Sequence, residues 1–117
     1  MYKIILDTDF LLTSLKFKVD IISEIERISD FNYKIFVIDK TLDELKNKKL
    51  EKLALELIKR FNIIETKKDK IVDDLIFDIK DDNIIVATQD KELKKKLKRE
   101  KVPIITIRQK KYLTIDK

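Results

Sequence analysis

The strongest constraint on the fold is a series of short, continuously apolar runs separated by stretches with helical spacing. The runs are YKIILD at 2–7, KIFVI at 34–38, IIVAT at 84–88 and PIITI at 103–107, with a shorter one at 63–65. Each is too short for a buried helix and is closed by polar residues, so each is expected to be a strand. Their apolar residues do not alternate with polar ones, as in strands covered on both faces. Helical patterns lie between them at 10–15, 19–28, 41–48, 50–61, 71–79 and 91–100. Ile21, Ile22, Ile25 and Ile28 recur in the second, and Leu50, Leu53, Ala54, Leu57, Ile58 and Phe61 form one apolar stripe in the fourth. A last extended piece is expected near 112–115. Strands alternating with helices predict a three-layer α/β/α domain around a central parallel sheet. With 117 residues, no linker and no repeat, a single domain over 1–117 is expected.

Missing residue types narrow the chemistry. The chain has Gly 0, Cys 0, His 0 and Trp 0. Without cysteine and histidine there is no disulfide framework, zinc finger, thiol nucleophile or Ser-His-Asp triad. Without glycine there is no phosphate-cradling loop of the P-loop or dinucleotide-binding kind. A metal would have to be held by oxygen ligands, hence a hard cation such as magnesium or manganese. Carboxylates are left as the catalytic groups. The net charge of +5 suits a polyanionic partner without establishing one. No apolar run approaches the ~18 residues of a membrane span. The first ten residues lack a signal-peptide core, so no membrane association and a reducing cytoplasm are expected.

Acids fall where such a sheet keeps its function, at the carboxyl ends of strands. Asp7 ends the first strand, Glu44 lies in the first turns after the second, and Asp90 follows 84–88. Asp73 lies in the first turn of the helix before that strand. Each also has a structural explanation. Asp7 and Asp90 fit helix N-caps, and Thr41 to Glu44 fits a capping box, in which the glutamate bonds back to its own cap backbone. Asp73 suits the positive end of its helix. Caps do not explain why several acids would converge on one edge. On a helical wheel Val72, Leu75, Ile76 and Ile79 form the buried face, so Asp73 borders the core and Asp74 points to solvent. Asp9 is left as a second ligand, a cap or a solvated side chain.

IILDTDFLL, LDEL, VDDLI and IVATQDKELKKKL, in this order, together resemble the PIN-domain nucleases over essentially the whole chain. The ending VPIITIRQKKYL is similar to the archaeal and eukaryotic branch related to the small-subunit processome PIN nuclease and to VapC-type proteins. The resemblance implies a PIN-like domain over 1–117 with Asp7, Glu44, Asp73 and Asp90 as its acidic cluster. It places Thr8 and Thr88 at the hydroxyl positions beside the first and last acids. Asp9 departs from the asparagine common there. Crowded carboxylates repel unless a cation neutralises them, so the cluster is expected to hold Mg2+ or Mn2+. Asp7 and Asp90 would be the principal ligands, with Glu44 and Asp73 completing the set directly or through water. Such an ion would hold the scissile phosphate, acidify a water and stabilise the leaving oxygen.

The implied activity is hydrolysis of RNA phosphodiesters, in RNA maturation or as the toxin of a toxin–antitoxin pair. An antitoxin or a pre-ribosomal particle would be the corresponding partner, and relatives commonly form homodimers. Lys94, Lys95 and Lys98 of the basic helix, and Arg108, Lys110 and Lys111 after the last strand, are the candidate RNA-binding residues. A solvated face of a lysine-rich protein has the same pattern. Three alternatives share some features. A haloacid-dehalogenase-like phosphatase is suggested by Asp7-Thr8-Asp9, but Leu11 stands where threonine or valine is wanted. A phospho-accepting receiver needs an isolated aspartate after the third strand, where this chain has Ile64-Glu65-Thr66. A PIN domain that binds RNA without cleaving it is the third.

Overall fold

The computed structural model of the protein describes residues 1–79 and 81–117. Its elements are β1 (Tyr2–Leu6), α1 (Thr8–Lys16), α2 (Ile21–Ile28), β2 (Tyr33–Ile38), α3 (Lys40–Leu45) and α4 (Glu51–Ile58). They continue with β3 (Asn62–Ile64), α5 (Val72–Phe77), β4 (Ile84–Ala87), α6 (Lys91–Arg99), β5 (Ile104–Arg108) and β6 (Tyr112–Asp116). The six strands form one sheet in the order β3-β2-β1-β4-β5-β6. β1 is central and pairs in parallel with β2 on one side and β4 on the other.

Alternate residues of the apolar strands serve opposite faces. Ile4 and Leu6 of β1 pack with Phe10, Leu11, Ile21, Ile25 and Ala54 beneath α1, α2 and α4. Ile5, between them, packs with Val72, Leu75, Ile76, Leu93 and Leu97 beneath α5 and α6. The expected three layers are therefore present. The stripe expected at 50–61 is narrower than its spacing suggests: Ala54 and Ile58 are buried, while Leu53 is 56% exposed.

The sheet departs from all-parallel pairing at one edge. β6 runs antiparallel to β5, in register from Ile104 opposite Asp116 to Arg108 opposite Tyr112. Gln109 and Lys110 make the reversal with φ of 52° and 56°. They are the left-handed central pair of a tight turn closed by the Lys111 N–H on the Arg108 carbonyl at 3.0 Å, adopted without glycine and leaving Lys111 as an extra residue before the Arg108–Tyr112 pair. The outer edge of β6 is covered by α2. Glu24 accepts the Leu113 N–H at 2.9 Å and Arg27 donates to the Leu113 carbonyl at 2.7 Å. Among the described residues no helix is long and apolar enough to cross a membrane.

Candidate active site

The chain leaves β1 to build one half of the sheet through β2 and β3, and returns through β4 to build the other. The carboxyl ends of β1 and β4 therefore flank the point where strand order reverses, the usual place for a site in an open α/β sheet. Asp7 follows β1 and Thr88 follows β4, and the Asp7 N–H donates to the Ala87 carbonyl at 2.9 Å. Asp7 occupies the N-cap position of α1 but its side chain makes no capping bond. It turns instead to Thr88, whose Oγ1 donates to Asp7 Oδ2 at 2.9 Å. The same oxygen accepts the Asp90 N–H at 3.1 Å, so one buried hydroxyl sets the positions of two acids.

Asp73 stands between them. It is half-buried, whereas its neighbour Asp74 is exposed, because α5 lays Val72, Leu75 and Ile76 on the sheet. Asp73 lies within hydrogen-bonding reach of both Asp7 and Asp90. Burial pushes the Asp7 carboxyl up to about 8, aided by the bond and charge of Asp73 and by Asp9, and opposed by the Thr88 hydroxyl. Asp73 is raised as well, first by burial, with the Asp90 and Asp9 charges adding to it and the bond from Asp7 opposing it. Burial and mutual repulsion thus hold both carboxyls toward their neutral forms. Among the described residues no group of three or more acids is already arranged as a metal-binding cage. The donors are nonetheless of the right chemistry: hard oxygen ligands, desolvated and short of positive charge, which suits Mg2+ or Mn2+.

The remaining expected residues occupy different places. Asp90 does cap its helix, with Oδ1 accepting the Leu93 N–H at 2.8 Å, while also facing Asp73. Glu44 does not close a capping box. Its Oε2 accepts the N–H of Val72 at 3.0 Å, at the start of α5 and one residue before Asp73. Its carboxylate is therefore committed to the neighbouring helix because α3 and α5 meet there. Thr8 is buried and donates to the Thr41 hydroxyl at 3.3 Å, joining α1 to α3 rather than reaching the acids. Asp9 is exposed but close enough to add to the negative field at Asp7 and Asp73.

The basic residues differ too. Lys95 pairs with Glu92 at 3.8 Å and Lys98 with Asp116 at 4.0 Å. Lys110 lies over the Phe17 ring at 5.1 Å, and Lys111 is exposed. Lys94 is half-buried beside Arg108.

Sequence reasoning passed over Gln89. Its Oε1 accepts the Ile107 N–H at 2.8 Å and its Nε2 donates to the Ile107 carbonyl at 3.3 Å. β4 ends at Ala87, so this amide continues the pairing to β5 where the strand has stopped. The only available signal was an amide next to Asp90.

Comparison with known proteins identifies the family and the fold. A family model described as a PIN-like domain matches residues 4–110. Ribonuclease VapC4 of Methanocaldococcus jannaschii is 36% identical over 128 aligned residues, covering 98% of this chain and 97% of that protein. The structure of the PIN domain endonuclease Utp24 superposes with a TM-score of 0.85 at 24% identity, covering 98% of this chain and 91% of the other. At that identity the structural likeness speaks for the fold.

Proposed function

Since the chain belongs to the PIN-like domain family, we propose that it is a metal-dependent endoribonuclease hydrolysing RNA phosphodiesters between β1 and β4. The observation that carries this is the row Asp7–Asp73–Asp90 at the reversal of strand order, two of its members set by one Thr88 hydroxyl. The likeness to a ribonuclease along nearly the full length of both chains supports RNA as the substrate and favours a VapC-type role, with an antitoxin as partner, over ribosome maturation.

Asp7, Asp73 and Asp90 would hold the cation, with Glu44 beside them. When bound, Mg2+ or Mn2+ supplies the positive charge that polarises a phosphodiester and acidifies water. The chain's own residues do the rest. To serve as a ligand Asp7 would release to solvent the proton that its burial favours. Thr88 holds the Asp7 carboxylate and the Asp90 backbone in position, so little reorganisation accompanies the reaction. Asp9 adds negative field at the entrance. Lys94, Lys95, Lys98, Arg108, Lys110 and Lys111 draw in the RNA backbone without reading its sequence.

The test is incubation of the purified protein and its Asp7→Asn variant with structured RNA and manganese. Cleavage by the wild type that stops in EDTA and is absent from the variant is expected. Equal cleavage by both proteins would overturn the assignment.

A further inference from the structure

The basic groups near the acids do not form a uniform face. Four have found something to neutralise or cover them: Lys95 has Glu92, Lys98 has Asp116, Lys96 lies over Phe77 and Lys110 over Phe17. Lys94 and Arg108 have not. Among the described residues neither forms an ion pair. Lys94 is half-buried in the first turns of α6, its N–H on the Asp90 carbonyl at 3.0 Å. The charges of Arg108, Lys98 and Lys91 act against its ammonium, and that of Asp90 acts for it. Burial first, and then these like charges, hold it below the ordinary lysine range. Repelling cations packed together destabilise a fold unless an anion sits among them.

The Arg108 backbone is held in place, and its side chain is exposed. The Gln89 amide binds both backbone groups of Ile107, and the turn at Gln109 and Lys110 reverses the chain straight afterwards. Arg108 is therefore the last residue of β5, fixed at the same sheet edge as the acids. The planar guanidinium and the compact ammonium are the pair that grips phosphate oxygens.

We propose that Lys94 and Arg108 form a phosphate clamp that holds a non-scissile phosphodiester of the RNA beside Asp90, with Gln89 positioning Arg108. The clamp rests on RNA being the substrate. It fixes the strand so that the adjoining phosphodiester lies over the three aspartates, and it binds phosphate whatever the base.

The test is binding of a fluorescent single-stranded RNA in EDTA, followed by anisotropy across a series of salt concentrations. Lys94→Gln with Arg108→Gln is compared with Lys95→Gln with Lys98→Gln, which removes the same charge from the same side. Two lost phosphate contacts are expected to lower the salt slope by roughly 1.4 and the affinity by about tenfold or more. The comparison pair is expected to lose less than half as much. Gln89→Ala should lower the slope as Arg108→Gln does, and add nothing once Arg108 is replaced. Lys94→Gln should melt at or above the wild-type temperature, so lost binding is not lost folding. Equal losses from the two pairs, with wild-type cleavage intact, would overturn the clamp and leave the nuclease assignment standing. A wild-type protein that neither binds nor cleaves RNA would overturn both.

Discussion

Replacing Asp7 by asparagine keeps the side chain's shape and an acceptor for the Thr88 hydroxyl, and removes a charge that burial makes costly. Unfolded, Asp7 loses its proton near pH 3.8; folded and without metal, it holds the proton to about 8. Between those values the folded state binds more protons than the unfolded one. Stability therefore falls as pH rises, by up to ~1.4 kcal/mol per pH unit. The stability present on the acid side is reduced by about 4 kcal/mol at pH 7, an upper bound because water and neighbouring groups relax around a buried charge. The variant has no such charge to expose. Thermal unfolding of both proteins in EDTA at pH 4 and pH 8 reads the difference. Near-equal midpoints are expected at pH 4. At pH 8 the variant should melt higher, by about 10 °C for a domain of this size. Manganese at pH 8 should narrow or reverse that gap, since the cation replaces the proton only where the carboxylate remains. A midpoint difference that is the same at both pH values would refute the raised Asp7 carboxyl. Undiminished RNA cleavage by the variant would refute its role in the site.

Other consequences are equally direct. Thr88→Val keeps the buried shape but leaves the Asp90 N–H without its acceptor and Asp7 without its donor. About 1–3 kcal/mol of stability should be lost in denaturant titrations, and cleavage should slow at least as much as the acids are displaced. Glu44→Ala should free the Val72 N–H at a cost of about 1 kcal/mol. Glu44→Gln, which can still accept that bond, should restore protection of the Val72 amide in hydrogen exchange. Equal exchange in the two variants would remove the link from α3 to the helix carrying Asp73. Lys101, with φ of 59°, ends α6 in a left-handed conformation, its N–H on the Lys98 carbonyl at 3.0 Å and the Val102 N–H on the Leu97 carbonyl at 2.9 Å. Lys101→Gly should therefore raise the unfolding free energy by up to about 1 kcal/mol, measurable by calorimetry. A fall would refute the strain.

How far the chain was legible follows from the range of each signal. Continuous apolar runs place the strands to within a residue or two, because burial on both faces is a requirement on the run itself. Helix ends are less readable. The chain stops its helices and turns with Lys18, Asn47, Lys101, Gln109 and Lys110 at positive φ, positions that glycine usually marks. Asp73 and Asp74 are told apart by the wheel alone, since α5 exposes one and half-buries the other. The destination of Glu44 could not be read, because the capping box is a local pattern and the Val72 N–H that wins the carboxylate comes from another helix.

By itself, then, the sequence determined a parallel three-layer domain, the acids at strand ends and the absence of any thiol, imidazole or glycine-loop chemistry. Those properties depend on composition and on periods of a few residues. Tertiary structure alone decided that Thr88 reaches across 81 positions to Asp7, that Asp73 comes close to Asp7 and Asp90, and that Gln89 extends the sheet beneath Arg108. Such bonds depend on which strands lie side by side. A hydrogen bond is made over about 3 Å of space, a separation that only the strand order β3-β2-β1-β4-β5-β6 creates.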